Sequence, residues 1–570
     1  MTPGLAGFIA SGRDEREWEQ SVIGVLAALA AEFKLVPERG GEAVGAGRRT
    51  LLDTFDWRLY KARLTLEYAA RSAGGELRLA GQAVNATATA GVPGTGPEAA
   101  QSVITQPVTG WQAARPHLMC ELPGGPVVSR IGDLVAPRAL LPVIAVTTTT
   151  VTHRLLNNDG KTVARLRVER LAIAGPHATP LAPRLSVTEV RGYLGPARRA
   201  ARLVGSVPGI ESSEVLEFAE ALGALGRRPG DYSNKVDAPI TAGLPASQAA
   251  ATILLRLLDT IDANVAGVLA DTDTEFLHDL RVSVRRTRSA LKLFGDVLTA
   301  TAGPAALTAA DVAFFAAEFK WVGDVTTPTR DLDVHLLDFD DTAHALSAAK
   351  PDDLEPFRTY LEQRRRREFR LLTRGLRSAR FTELGRSWRA KLTTIANSNP
   401  AGRGTTVRSG GRQAAAGTTG TLAAERTRTA FAKVARRGAE ITPGSPAESL
   451  HDLRKRCKEL RYALEFFAPL YDRAAQAKVV GELKRLQDCL GEFQDTQVQI
   501  GEIRALATAM LAAGEAPAVT LLAMGEVTAG LVSRQQAARE DFGRRFAAFA
   551  GIDGQRRMSE LLRGKPGVSS

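Results

Sequence analysis

One short pattern is written twice in this chain, and a repeat that close restricts the fold to one that can hold two copies of the same helix. The first copy, Leu277 to Phe294, reads LHDLRVSVRRTRSALKLF, and the second, Leu450 to Phe467, reads LHDLRKRCKELRYALEFF. At roughly 100° per residue, His278, Arg281, Arg285, Arg288 and Lys292 fall within about 80° of one another on a helix. Leu277, Leu280, Val284, Leu291 and Phe294 form the adjacent apolar stripe. In the second copy His451, Arg454, Lys458 and Arg461 take the corresponding positions. Such a helix buries one side and presents a row of cations beside it. Two such rows point to a partner that is long and negatively charged.

A second block repeats at a similar distance. Glu318-Phe319-Lys320 through Val334 aligns with Glu482-Leu483-Lys484 through Val498, and keeps Asp324/Asp488 and Asp331/Asp495. Two aligned blocks in the same order mark an internal duplication. The expected architecture is two helical bundles related by a pseudo-twofold, with matching faces turned toward each other. Helical periodicity runs through almost everything from Ser247 onward. The exception, Asn397 to Thr421, is rich in Gly, Ser, Thr and Arg without a period and reads as a flexible linker between the copies.

The charge balance agrees with an anionic partner. A net charge of +12 and a pI near 9.8 allow it, and clustering strengthens it: Leu361 to Lys391 holds eleven Arg or Lys against three Glu. Aromatic residues, at 6%, are too few for broad base-stacking platforms. Cys120, Cys457 and Cys489 make neither a disulfide framework nor a metal-ligand spacing, and suit a reducing compartment. The opening residues lack the basic flank and apolar core of a secretion signal. No apolar run reaches the roughly 18 residues of a membrane span. The expectation is a cytoplasmic protein with no membrane partner.

Residues before about 205 read as β. Leu140 to Thr152 and Thr162 to Ile173 are the clearest strands, joined by the turn signal Asn157-Asn158-Asp159-Gly160. Arg165, Arg167 and Glu169 alternate with Ala164, Leu166 and Val168, and Glu189 and Arg191 alternate with Thr188 and Val190. Alternation leaves two readings open: a polar face turned to solvent, or the charged interior of a closed barrel.

Leu51-Leu52-Asp53-Thr54-Phe55-Asp56-Trp57-Arg58-Leu59 resembles the YDT-x-D-x-x-L signature of CYTH domains, the triphosphate tunnel metalloenzymes. Glu32 to Pro37 is similar to the end of their opening E-x-E-x-K strand. The resemblance implies an eight-stranded antiparallel barrel whose interior acids hold Mg²⁺ or Mn²⁺ and whose bases grip a triphosphate. The chain departs from the pattern at Ala30, Glu67, Ala69, Ala80, Thr147 to Thr150 and Val187. Glu32 and Glu189 are the acids left as candidate metal ligands. Hard divalent cations need several oxygen ligands held together, and phosphoryl chemistry needs metal and cations in one place. The expectation is therefore a degenerate barrel without catalysis, with three states left open: a small anion (a polyphosphate chain end or a triphosphate) held through Lys34, Arg165, Arg167 and Arg191, a nucleotide, or no ligand. Mg²⁺ or Mn²⁺ enters only if the barrel is active, and no other cofactor is expected.

The duplicated H-x-x-R-x-x-x-R/K-x-x-R pattern, with its downstream K-x-x-x-D blocks, closely resembles the CHAD domain. What the resemblance implies is a helical module whose basic surface binds inorganic polyphosphate. The expected chain is thus multidomain: a CYTH-like antiparallel β-barrel over 1–208, a connector over 209–243, and an all-α CHAD module over 244–545. The module divides into 244–396, the linker 397–421 and 422–545, and a tail covers 546–570. The polyphosphate site is expected at His278, Arg281, Arg285, Arg288, Lys292, Lys320, His451, Arg454, Lys458, Arg461 and Lys484. Arg suits such a site because its planar fork bonds two phosphate oxygens. His278 and His451 have four readings: a structural bond to a neighbouring helix, a donor to the anion, a phosphoacceptor or a metal ligand. Asp331, Asp333 and His335 make a poor metal set, since Asp333 points away on a helix and Gln499 replaces His335 in the second copy. The function expected is non-enzymatic polyphosphate binding, at polyphosphate granules if these are present. The alternatives are a metal-dependent triphosphatase, a nucleic-acid binder and a phosphohistidine relay.

Overall fold

Alternation in the first part of the chain and 3.6-residue periodicity in the second yield two units of different architecture, Met1–Ser233 and Asn234–Ser570. The computed structural model describes residues 6–38, 47–71, 74–81, 103–175, 178–212, 217–300, 307–398 and 417–563. Most of the expected 397–421 linker lies outside them. No helix among the described residues is long and apolar enough to cross a membrane.

Among its described residues the first unit has ten strands: β1 (Ala6–Ala10), β2 (Lys34–Pro37), β3 (Gly47–Asp53), β4 (Leu64–Arg71), β5 (Gly74–Gly81), β6 (Val103–Val108), β7 (Leu141–Leu156), β8 (Thr162–Ile173), β9 (Thr179–Glu189) and β10 (Ile210–Ser212). Five helices accompany them: α1 (Glu15–Ala30), α2 (Arg58–Lys61), α3 (Pro126–Val135), α4 (Leu194–Gly205) and α5 (Glu217–Ala224). All pairings are antiparallel, in the order β10-β1-β9-β8-β7-β3-β4-β5-β6, with β2 branching from β7. The predicted turn joins β7 to β8: Asn157 Oδ1 accepts from the N–H groups of Asp159 and Lys161, and Gly160 supplies a φ of +74°.

The expected closed barrel is not formed. The end strands β10 and β6 do not pair among the described residues, so the sheet is open. Alternation reports which face is polar; closure needs a hydrogen-bonded ladder between the two end strands, which alternation does not encode. One face of β8 and β9 (Leu166, Val168, Leu185, Val187) packs against Val22, Val25 and Leu29 of α1 and Ala197, Ala200 and Val204 of α4. The other face carries Arg165, Arg167 and Glu169, in register with Thr188, Ser186 and Arg184.

The second unit is helical: α6 (Ala246–Leu269), α7 (Thr274–Thr299), α8 (Ala309–Leu337), α9 (Phe339–His344), α10 (Glu355–Leu376), α11 (Ala379–Ala396), α12 (Thr419–Ala439), α13 (Ala447–Phe466), α14 (Arg473–Ala512), α15 (Ala518–Ala550) and α16 (Ile552–Arg563). The repeated pattern lies on α7 and α13. Asp273 caps α7 by accepting from the N–H groups of Glu275 and Phe276. The second copy buries Leu453, Cys457, Leu460 and Leu464 of α13 against Leu483, Leu486 and Leu490 of α14. Burial pushes the Cys457 thiol up to about 12, so this cysteine is a small core residue. A further core joins the copies: Leu332, Phe339, Phe357 and Leu361 meet Ile503, Leu506, Met510 and Met524. In the stretch read as a tail, α16 buries Met558 and Leu561.

Candidate functional site

Helices α7 and α13 meet along their repeated faces. Phe294 and Phe467, equivalent in the two copies, pack edge to face with ring centroids 5.7 Å apart, and Phe466 lies 5.9 Å from Phe294. Beside this joint Arg285 donates through Nε to the Tyr462 hydroxyl at 2.8 Å. Glu465 accepts from Arg286 at 2.9 Å and from Arg461 at 2.7 Å, binding the two helices together. Arg286 also donates to the Asn234 carbonyl at 2.7 Å. Tyr462, Glu465 and Arg286 lie outside the repeated ladder, and the sequence carries no sign of their joining role, because each partner is on the other helix.

The ladder residues do not all face a ligand. Arg281 is turned inward: its Nη1 donates to the Gly323 carbonyl at 3.2 Å and to the hydroxyls of Thr326 and Thr327 at 3.0 and 2.8 Å. These groups sit where Pro328 interrupts the hydrogen bonding of α8. Burial pushes the Arg281 guanidinium below its usual range; Asp331 opposes this, while Arg285 and Arg330 add to it. The equivalent Arg454 holds the equivalent acid, with Nη2 2.9 and 3.0 Å from the two Asp495 oxygens. Asp495 thus orients Arg454, whereas the equivalent Asp331 acts on Arg281 through its charge alone. Lys320 is tied to Asp324 at 2.6 Å. His451 Nδ1 is 2.8 Å from Gln494 Oε1, a contact to α14 that holds the ring against its neighbour. His278 is half-buried at the start of α7.

What remains is a cluster from both helices. Lys458 is half-buried, and its ammonium is pushed down to about 8 by burial, then by Arg454 on its own helix and Arg285 from α7, against the pull of Asp495. Arg285 of the first copy thus acts on Lys458 of the second. Arg288 reaches the same side of α8 as Arg281, near Gly323. Lys292 and Lys484 are exposed. Arg forks can each bond two oxygens of a phosphate group.

Residues 252–504 match the model of the CHAD domain. This segment is a CHAD domain. Among solved structures, the chain is similar to the CHAD domain from the plant Ricinus communis, at 25% identity and a TM-score of 0.45, over 56% of this chain and 96% of that one. It is also similar to PptA from Streptomyces chartreusis, at 18% identity and a TM-score of 0.37, over 53% and 99%. No curated protein matches. The CHAD segment contains α7, α8 and α13 entire, together with the first part of α14.

In the first unit several of the residues singled out by sequence are bonded within the protein. The Asp53 carboxylate accepts from the N–H groups of Thr54, Leu59 and Tyr60 at 2.7, 3.0 and 2.9 Å, closing the turn from β3 into α2. Burial pushes Asp53 up to about 6 against these bonds. Thr54 donates to Asp56, and Arg138, almost wholly buried, lies 3.6 Å from it. Glu32 is exposed and pairs with Arg199 at 3.6 Å; Glu189 is exposed at the end of β9. Arg165 pairs with Glu38 at 3.4 Å and Arg167 with Glu169 at 2.7 Å, while Lys34 and Arg191 are exposed. Among the described residues no group of three or more His, Cys, Asp or Glu is placed to hold a metal ion. In the helical unit, Asp333 is buried and bonded to Arg365, and His335 is 2.8 Å from Glu502.

Proposed function

We propose that the CHAD domain binds inorganic polyphosphate along the cationic surface that α7 and α13 share, without chemistry. The observation that supports this reading is the packing of α7 on α13, which puts Arg285, 2.8 Å from the Tyr462 hydroxyl, beside the helix that carries Arg454 and Lys458; the Lys458 ammonium is pushed down by burial first and by Arg454 and Arg285 after it. Like charges held together destabilise a fold unless a ligand compensates them, and polyphosphate, with a charge on every unit and no bases to read, matches density of charge rather than a code. Arg285, Arg288, Lys292, Arg454, Lys458 and Lys484 are the residues assigned to contact. Arg281 supports from beneath, and His451 positions.

The test is binding of long-chain polyphosphate, triphosphate and duplex DNA over a salt series, with Arg454→Glu/Lys458→Glu set against Arg437→Glu. Arg437 is an exposed arginine paired locally with Glu440 at 2.7 Å. The double variant is expected to weaken polyphosphate binding roughly a hundredfold and the control less than threefold. Equal effects refute the site. DNA competing equally at equal phosphate concentration supports the nucleic-acid alternative instead, and an acid-labile phosphoryl label lost in His278→Ala supports a relay.

A second reading concerns the first unit. A CYTH-like sheet that holds a small anion on its polar face is supported by Arg154 and Arg167, whose Nε atoms are buried without a hydrogen-bond partner. Release of phosphate from triphosphate with Mg²⁺ or Mn²⁺ is the measurement that would turn this reading into a triphosphatase.

A further inference from the structure

Several exposed arginines of the helical unit are paired with a carboxylate on their own helix. Arg386 pairs with Glu383, Arg437 with Glu440, Arg456 with Glu459 and Arg485 with Glu482, at 2.7 to 3.0 Å. Helix α10 instead carries a dense run of exposed arginines. Its buried side, Leu361, Leu372 and Leu376, faces inward, and Arg365 on that side is consumed by Asp271 and Asp333 at 2.6 and 2.5 Å. On the opposite side Arg366, Arg367, Arg370 and Arg374, with Arg377 at the C-cap, are all exposed. At roughly 100° per residue they fall within about 100° of one another and extend over about 16 Å. Arg366 has Glu362 at 3.4 Å. The other four have no carboxylate within ion-pair distance among the described residues.

The C-terminal dipole of α10 accounts for Arg374 and Arg377, since cations there stabilise a helix end. It does not account for Arg366, Arg367 and Arg370, which lie beyond its reach. Arg366/Arg370 and Arg370/Arg374 are like-charge pairs four residues apart, an arrangement that weakens a helix. The N-terminal end of the row opens into a shallow depression of about 410 Å³ edged by Gln363, Arg366, Arg367, Phe369 and Arg370, with the Asp271–Arg365 ion pair at its side. The residues that bind α7 to α13 include none from α10, so the row is separate from the ladder.

We propose that this arginine row is a second polyanion-binding surface, fitted to a linear phosphate chain, so that one CHAD domain engages two stretches of polyphosphate. The identity of the ligand rests on the function proposed above; the existence of the surface does not. A straight row of forks one helical turn apart matches a thread of phosphates. A lipid surface fits it less well, because only Leu371, 54% exposed, stands beside the row to insert.

The experiment compares wild type, Arg454→Glu/Lys458→Glu and Arg367→Gln/Arg370→Gln/Arg374→Gln/Arg377→Gln, all with unchanged melting temperature for the row variant as the check on folding. Short-chain polyphosphate is titrated calorimetrically, and vesicles with and without an anionic phospholipid are tested in parallel. Two sites are expected in wild type and one in each variant. The row variant is expected to lower the slope of log affinity against log salt for long chains by about 3. An unchanged site count and slope in the row variant overturns the inference. Vesicle binding lost in the row variant while polyphosphate binding persists overturns it in favour of a membrane. If the ladder variant keeps both sites while the row variant loses one, this inference stands and the ladder assignment fails.

Discussion

Lys458 is the group whose protonation a bound polyanion changes most. In the free protein its ammonium sits at about 8, against an ordinary value of 10.5. A phosphate chain laid beside it supplies opposite charge and moves it back up. Between those two values, binding must draw a proton from solution, which costs about tenfold in affinity for each pH unit. From pH 7 to 9 the protonated fraction falls from about nine-tenths to about one-tenth, so affinity is expected to fall roughly tenfold. Stability moves the other way. The folded value lies below the unfolded one, so between about 8 and 10.5 the unfolded chain keeps a proton that the folded chain has lost, and stability rises with pH across that window. The assay is polyphosphate titration from pH 6.5 to 9.5 at constant ionic strength, repeated in buffers of different ionisation enthalpy to read proton uptake. Lys458→Arg should bind with little pH dependence. The same slope in that variant, or no slope in wild type, refutes the argument.

Three further outcomes follow from the geometry. Arg281→Met removes three hydrogen bonds from α7 to Gly323, Thr326 and Thr327 of α8, so it should cost about 1–3 kcal/mol in urea unfolding while weakening polyphosphate binding less than Arg454→Glu does. Glu465→Gln leaves Arg286 and Arg461 facing each other across the α7–α13 joint and should cost a similar amount, about 1–3 kcal/mol, also by urea unfolding; an unchanged midpoint refutes the joint. Asp53 has a folded value of about 6, above the ordinary 3.8, so its contribution is full below 3.8 and is lost as pH rises toward 6. Thermal melts of Asp53→Asn between pH 3.5 and 7 should lack that part of the decline seen in wild type.

The helical unit was legible because its signals are local. Amphipathic spacing placed Leu277, Leu280, Val284, Leu291 and Phe294 on a buried stripe, and all five are buried. The CHAD pattern survives as a row of identical residue types. The sheet was legible for the same reason, strand by strand, yet its closure was not. Period-2 alternation is the same in an open sheet and a barrel, and the difference lies in whether two end strands meet. The CYTH-like stretch Leu51 to Leu59 was read as a signature; the structure gives its Asp53 the work of closing a turn with three backbone N–H groups.

The sequence by itself determined two helices with a cationic row, repeated, and the acids Asp331 and Asp495 that accompany them. Tertiary structure decided which cations are spent and which are left. Arg281 and Arg454 look alike on a helical wheel, but one is turned into α8 and the other holds an exposed carboxylate. Arg285 and Lys458 come together only because Phe294 and Phe467 bring α7 to α13. The reason is physical: periodicity along one helix records direction from the axis, whereas charge density is a sum over distances between helices, and those distances are set by packing.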